Sequence, residues 1–460
     1  MAIHNLTAHG LRIVCRRCAA PGQMQIRWRH RQKKRWAKSE PQLLPSQLAL
    51  GYFDGFYKPV FGNLWPSMRV ALLSQKKFGV LLNNFVSTED TEPELTGEGA
   101  FDIIEQARLI DYTEKFYAKQ QRLREQLENA EAQQEQSEYD MEDQQLAETD
   151  RTDLSYFVPA KRIATEKEEL QEMEINQGFM TIPEQNQIPI YPETNFMFPQ
   201  MLKMLAHDRG HIALFSSAKP KAANKLNYYI MDASSILPVL ALDLRPDDNV
   251  LDLCAAPGGK TLAILQTGLP ASLVCIDHAW ERTKRLREVL NLYVPPSYIR
   301  EQVVQVRHCN GIAFASEMEN HMKFDKILVD VPCYTDRHVL HSDENNLFQK
   351  SRKKERLYVQ ENQKKLLCAA LTCVKPGGTV VYSTCTLSMP QNDGIIQAAV
   401  DTIHETTDFK IAVQDTSGIA DKFRMTFDFY DKCRYGQLVL PNLTSNFGPT
   451  YFCKLTKLPT

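Results

Sequence analysis

No acidic side chain occurs before Glu40, although Met1–Lys38 carries seven Arg and three Lys interleaved with Leu11, Ile13, Val14, Trp28 and Trp36. An acid-free basic leader matches a mitochondrial transit peptide, although it is poor in Ser. Two other readings fit the same composition: a basic RNA-binding arm, or a nuclear address around Arg27–Lys38. Long apolar runs are also missing. Nothing approaches the ~18 consecutive apolar residues of a membrane span, so no membrane association is expected. The eleven cysteines of the 460-residue chain show no framework spacing, which argues for thiols in a reducing compartment rather than a disulfide scaffold. Cys15-Arg-Arg-Cys18 has no second Cys or His pair to complete a zinc tetrahedron, and no metal is expected.

Basic residues are nearly absent from Glu125–Asp153, which holds eleven acidic residues, six Gln and only Arg151. Such a stretch buries too little apolar surface to offset its ordering entropy, so it reads as a frayed helix passing into disorder, inserted into a folded body. Outside the two biased segments the chain is close to neutral, and the whole carries a formal charge of −2. Nucleic-acid contact would therefore come from local patches, with no global basic field. A 43% hydrophobic content is enough for a sizeable core.

From Leu226 onward, strand and helix signals alternate, which predicts an α/β domain with a mainly parallel sheet. Helical spacing is read over Tyr228–Leu242. Strands are expected at Asn249–Cys254, Ser272–Asp277, Val303–His308, Phe324–Asp330 and Gly378–Cys385, with helices from Thr261, over Glu281–Tyr293 and over Gln363–Val374. Further strands are expected near Phe409–Val413, Tyr435–Pro441 and Thr450–Leu455. Leu43–Ile110 holds Phe53, Tyr57, Phe61, Trp65 and Leu72 at helical spacings and reads as a small helical extension.

The turn between the first strand and helix is Asp252-Leu-Cys-Ala-Ala-Pro-Gly-Gly-Lys-Thr261. It places backbone N–H groups and a positive helix end at the carboxyl edge of the sheet, which suits an anionic or carboxylate-bearing ligand. A phosphate-binding P-loop would need Gly where Cys254 stands, and Gly-x-Gly-x-x-Gly is absent. Asp277, ending the next strand, is placed to bind the two ribose hydroxyls of an adenosine; the alternative reading is a helix cap. Downstream, Cys333 in Val-Asp-Val-Pro-Cys and Cys385 in Tyr-Ser-Thr-Cys-Thr each follow a short apolar strand. Free cysteines at strand ends are often small buried residues, a reading that is weaker for two at matching ends.

These letters resemble a known family. Asp252–Thr261, Asp232-Ala-Ser234, Asp330-Val-Pro-Cys333 and Ser383-Thr-Cys385 match, in order and spacing, the motifs of the Sun-domain (NSUN, RsmB-like) RNA cytosine-5 methyltransferases. The likeness is greatest to the mitochondrial member acting on small-subunit ribosomal RNA. Arg31–Trp36, Phe61–Arg69, Val329–His338, Glu344–Phe348, Ser351–Arg356 and Asn446–Pro449 support it, and it spans nearly the whole chain except roughly Thr88–Leu205. The resemblance implies a class I S-adenosylmethionine-dependent methyltransferase fold: Rossmann-like, α/β, with a mainly parallel seven-stranded sheet and a small N-terminal helical extension. The domains would be 1–38 transit peptide and basic arm, 39–115 helical extension, 116–205 charged and Gln-rich disordered insertion, and 206–460 methyltransferase domain.

By the same resemblance, Cys254, Ala255, Ala256, Pro257, Gly258, Gly259 and Lys260 surround the methionine end of S-adenosylmethionine. Asp277 and Arg282 hold its adenosine side, Asn310 stands where the family usually has Asp at the adenine, and Asp330 lines the floor. Cytosine C5 is too weak a nucleophile to take a methyl group unaided, so a nucleophile first adds at C6. A thiolate suits that step because it both attacks and leaves well near neutral pH. The family pattern makes Cys385 the nucleophile and Cys333 the residue that promotes release, with Asp330 positioning the base. DNA cytosine-5 methyltransferases use a Pro-Cys thiol as nucleophile, so the reversed assignment stays open.

The target base must be unstacked to expose C6, which favours single-stranded or looped RNA. Candidate RNA contacts are Lys219, Lys221 and Lys225, the run Lys350, Arg352, Lys353 and Lys354, and Arg337 with His338 nearer the site. The resemblance further implies a place in the mitochondrial matrix, action on mitochondrial (12S) ribosomal RNA, an mTERF-family helical-repeat partner and contact with the assembling mitoribosomal large subunit. An assembly scaffold with little catalysis, and a transfer RNA methyltransferase, are the alternatives.

Overall fold

Every fourth residue from Ala49 to Phe61 (Ala49, Phe53, Tyr57, Phe61) is buried, so the helix Pro45–Phe61 presents one apolar stripe. Proline opens this helix, and Gln47 accepts a hydrogen bond from the Leu44 amide (3.0 Å) in the manner of a capping box. Asp54 then ties it to the next helix, Trp65–Leu73, by accepting from the Trp65 indole (3.0 Å) and Arg69 Nε (2.7 Å). The computed structural model describes residues 43–114, 188–193, 196–318 and 324–459. The expected basic leader (1–38) and acidic segment (125–153) lie outside the described residues.

Short strands follow: β1 (Gly79–Leu82), β2 (Ala100–Asp102), β3 (Ile190–Tyr191), β4 (Met204–His207) and β5 (Tyr228–Met231). Four of them make an antiparallel sheet in the order β2-β4-β1-β5, so the N-terminal extension is not purely helical. The helix expected over Tyr228–Leu242 also differs. It begins as β5, whose Ile230 pairs with Val80, then forms a 3-10 turn at Ala233–Ile236 that Asp232 caps by accepting from the Ser234 amide (3.1 Å), and is α-helical only at Leu237–Ala241. A short apolar run fits strand and helix alike, and pairing with β1 decides it. The domain boundary drawn between residues 205 and 206 falls inside β4, and β3, also from the expected insertion, pairs with the larger sheet.

That larger sheet contains β6 (Asn249–Asp252), β7 (Ser272–Asp277), β8 (Val304–His308), β9 (Phe324–Asp330), β10 (Val374–Thr384), β11 (Ile411–Gln414), β12 (Asp428–Tyr430), β13 (Gln437–Leu440) and β14 (Thr450–Lys457). The order is β12-β13-β14-β10-β9-β6-β7-β8; β10-β9-β6-β7-β8 run parallel, and β14 is antiparallel to β10. Ten strands replace the expected seven. The excess arises at β14, whose first half pairs with β13 and second half with β11, so the sheet forks there. Of the strands added to the sheet, β13 lies within the expected Tyr435–Pro441, whereas β3 and β12 have two and three residues, too short to show a period in the sequence.

Alternate strand residues face opposite ways and feed two cores. Leu251, Ile327, Val329 and Val380 join Phe53, Tyr57 and the helices Lys353–Cys373 and Asp393–Thr406 on one side. Val250, Leu273, Leu328 and Val381 join Leu237–Ala241, Gly259–Gln266 and Trp280–Tyr293 on the other. Strand order reverses at β6: β7 and β8 lie to one side, β9 and β10 to the other. Chains leave the carboxyl ends of β6 and β9 in opposite directions, which opens a crevice at that edge.

Because Phe53 is fully buried and stacks on Tyr57 (4.9 Å between centroids), the extension is part of the main core. Phe53→Ala is expected to cost about 3–5 kcal/mol and to lower the urea midpoint of one single transition. A separate early transition for the extension would contradict that assignment.

Candidate active site

Ser383 of β10 lies opposite Asp330 of β9 in parallel register, and the two strands end together. Three residues beyond Asp330 stands Cys333; two beyond Ser383 stands Cys385. The Sγ atoms are 3.3 Å apart, both cysteines are free thiols, and Cys333 Sγ also accepts from the Cys385 amide (3.4 Å). Cys333 is buried and Cys385 exposed. The Cys385 thiol titrates below its usual value: the bond from Cys333 contributes most, the Lys260 ammonium adds to it, and desolvation and Asp330 oppose. Cys333 is correspondingly pushed well up, first by that same bond and then by burial. Of the two thiols, Cys385 is therefore the one that gives up its proton first.

Asp330 is held from two sides, accepting from Ser383 Oγ at Oδ1 (2.7 Å) and from Lys260 Nζ at Oδ2 (2.8 Å). Burial pulls the Lys260 ammonium down, but Asp330 outweighs it and the group stays charged. Beneath the loop, Asp252 is buried and accepts from Thr261 Oγ1 (2.7 Å); burial pushes its carboxyl up to about 7. Cys254 is also pushed far up by burial, so it is a neutral thiol rather than a third nucleophile.

The glycine turn is tight against the protein itself. Gly258 has φ +116°, and a Cβ there would come within 2.9 Å of Leu286 Cδ1; one at Gly259 would reach Tyr229 Cε1 at 3.2 Å. Gly258 lets the loop pack on the helix Trp280–Tyr293, and Gly259 lets it pack on β5. Ala255 and Ala256 are buried in that packing, and Pro257 is exposed at the tip. Asp277 is 2% exposed; it accepts from the Ala279 amide (3.0 Å) at the helix start, which is the alternative reading of a helix cap, and pairs with Arg282 Nε (3.1 Å). Arg282 also donates to the Ala256 carbonyl, so it fastens the glycine loop to Asp277. Asn310 caps the helix Gly311–Met318 by accepting from the Ile312 amide (2.9 Å), which leaves its amide nitrogen for a ligand.

Of these residues, Cys254, Arg282, Asn310 and Cys333 open on a cavity of about 660 Å³ that Leu253, Ala279, Ile312 and Pro332 also line. Apolar walls for a flat ring from Leu253 and Ile312, with the Asn310 amide and the Arg282 guanidinium at the edge, fit an adenosine. Fold and cavity define a class I S-adenosylmethionine-dependent methyltransferase. Residues 239–438 match the family described as 16S rRNA methyltransferase RsmB/F. The 5-cytosine rRNA methyltransferase NSUN4 of Mus musculus is 39% identical over 431 residues, covering 94% of both chains. A mitochondrial tRNA (cytosine(34)-C(5))-methyltransferase of Mus musculus is 35% identical over 57% of this chain and 79% of its own. The solved structure of PH0851, 15% identical over 92% of this chain and 70% of that one, has a TM-score of 0.52, a likeness of fold alone. The chain belongs to the Sun-domain family of RNA cytosine-5 methyltransferases, and its cofactor is S-adenosylmethionine.

The expected RNA contacts separate on inspection. Arg337 is half-buried and its guanidinium is committed to protein: it donates to the carbonyls of Ala71 (3.2 Å) and Gly448 and to Asn446 Oδ1 (2.6 Å). It is a staple between the extension and the C-terminal loop rather than an RNA contact. Arg352 is bound bidentately by Glu355, and Lys219 and Lys221 pair with Glu94 and Asp90. His338, Lys350 and Lys354 are exposed, and Lys353 is half-buried. Sequence reasoning missed Ser383 as the second anchor of Asp330, although their strand register carries the signal. It also missed Asp336 and Tyr57, whose contact spans 279 positions.

Iodoacetamide is expected to alkylate Cys385 before Cys333, with a half-maximal rate at a pH below 9. In Cys333→Ala that midpoint moves upward, because the bond that contributes most to the thiolate is gone. Mass spectrometry of modified peptides across pH reads both effects. Arg337→Ala is expected to cost about 2–4 kcal/mol in a urea titration by leaving buried carbonyls unpaired, with RNA affinity within twofold of wild type by filter binding.

Proposed function

We propose that the protein methylates C5 of a cytosine in mitochondrial small-subunit (12S) ribosomal RNA through a covalent Cys385–C6 adduct. The observation that carries the adduct is the thiol pair itself: Cys385 exposed and acidified, Cys333 buried and protonated 3.3 Å away. Ribosomal RNA is favoured over transfer RNA because the relative named for ribosomal RNA matches 94% of this chain, and the relative named for transfer RNA 57%. The acid-free basic leader supports the mitochondrial matrix as the place of action.

In this reading the Cys385 thiolate adds its electron pair to C6, forming an S–C bond and placing electron density at C5. S-adenosylmethionine, when bound, supplies a methyl group on a cationic sulfur, an electrophile for that carbon. Asp330, fixed by Lys260 and Ser383, orients the base ring at the floor. Solvent water then takes the C5 proton, the C–H electron pair restores the C5–C6 double bond as the S–C6 bond breaks, and the S–C6 pair returns to Cys385 as thiolate. Cys333 donates its hydrogen bond to that departing sulfur, which stabilises the thiolate and speeds release. The reversed assignment would need a buried sulfur with a raised pKa to attack first. The near-neutral body outside the two biased segments fits a protein that reaches its RNA with a partner, for which an mTERF-family protein and the assembling mitoribosomal large subunit are the candidates.

Cys385→Ala is expected to abolish methylation, whereas Cys333→Ala leaves protein attached to RNA on a denaturing gel. Trapping by Cys385→Ala instead would reverse the roles. Bisulfite sequencing of mitochondrial RNA from cells carrying Cys385→Ala should lose a signal in small-subunit ribosomal RNA; loss confined to a transfer RNA would sink the substrate assignment.

A further inference from the structure

Asp336 lies three residues beyond Cys333, at the start of the helix Asp336–His341, and is fully buried. None of its bonds serves its own loop. Oδ1 accepts from Thr386 Oγ1 (2.7 Å), and Oδ2 accepts from the Leu387 amide (2.8 Å) and from Tyr57 OH (2.9 Å). Thr386 and Leu387 are the two residues immediately after Cys385, so one carboxylate from the Cys333 loop grips the Cys385 loop. Tyr57 comes from the N-terminal helix Pro45–Phe61 and is itself fully buried. Between Cys333 and Asp336, Thr335 adopts φ +55°, a left-handed conformation costly for a β-branched residue, so bonds on either side must hold this turn. A weaker tie runs the other way, the Tyr334 amide donating to Gln391 Oε1 (3.3 Å).

Taken together, the geometry points to Asp336 as the positioning residue that sets the spacing of the Cys333 and Cys385 thiols, with Tyr57 of the N-terminal extension as the donor that secures it. This rests on the thiol reading given above. Three donors converge on the carboxylate, a number that an ionised group accepts readily. Burial raises its pKa to about 6, which leaves it charged at neutral pH. Neither residue contacts the cavity, so their effect passes through the two loops. A loop shifted by about 1 Å at a reacting centre costs on the order of 100-fold in rate, which makes the clamp kinetically visible.

The test uses the full chain, S-adenosylmethionine and a small-subunit ribosomal RNA transcript made with 5-fluorocytidine. Fluorine at C5 cannot leave as a proton does, so an adduct accumulates and its formation rate is read on a denaturing gel. Asp336→Asn keeps the shape but presents an NH2 group to donors; trapping should slow roughly 10- to 100-fold. Tyr57→Phe removes one hydroxyl and should slow trapping roughly 3- to 10-fold, which keeps the idea testable if Asp336→Asn does not fold. Cofactor affinity by calorimetry should stay within about twofold in both, with the loss in kcat rather than KM. Wild-type trapping rates in both variants would overturn the positioning role, as would a loss of cofactor affinity equal to the loss of rate. No adduct with the wild-type protein would remove the thiol reading itself and the positioning role with it.

Discussion

Parallel pairing of β9 with β10 is the constraint on which the site depends. Asp330 and Ser383 sit opposite one another, and the chain continues three residues to one thiol and two to the other. A slip of one residue would turn Asp330 away from Ser383 and separate the sulfurs, since strand side chains alternate between faces. The register is fixed by burial on both faces, with Ile327 and Val380 committed to one core and Leu328 and Val381 to the other. Chemistry at the sheet edge is thus specified by packing several residues below it.

Charge in this crevice is arranged in a chain rather than as isolated pairs. Lys260 neutralises Asp330, and the same ammonium favours the Cys385 thiolate. Asp277 and Arg282 repeat the arrangement on the cofactor side, with Arg282 reaching back to the Ala256 carbonyl of the glycine loop. Each carboxylate lining the crevice has a cation or a donor nearby, which keeps the burial cost of several acids in one place within bounds.

Much of the parallel sheet was legible in the sequence because its strands are continuous apolar runs bounded by turn residues: Ser272–Asp277 and Phe324–Asp330 match β7 and β9 residue for residue. The motif cysteines, the glycine loop and Asp277 were legible for the same reason, being local signals at strand ends. What escaped was decided by distant partners. β5 looks helical in isolation and becomes a strand only through β1; β3 and β12, of two and three residues, carry too few to show a period. Arg337 reads as a surface cation beside the site until Ala71 and Asn446, far off in sequence, are seen to consume its donors.

That staple has a bearing on when the enzyme comes into being. Asn446 also donates to the carbonyls of Ala71 (3.0 Å) and Gln75 (2.9 Å), more than 370 positions away, and Tyr430 OH reaches the Val60 carbonyl (3.3 Å). The first helices of the described chain are therefore completed by nearly its last residues. Contacts of such sequence separation close late, because loop entropy is paid before they return anything. During synthesis from the N-terminus, the helices Pro45–Phe61 and Trp65–Leu73 emerge before the residues that complete their contacts.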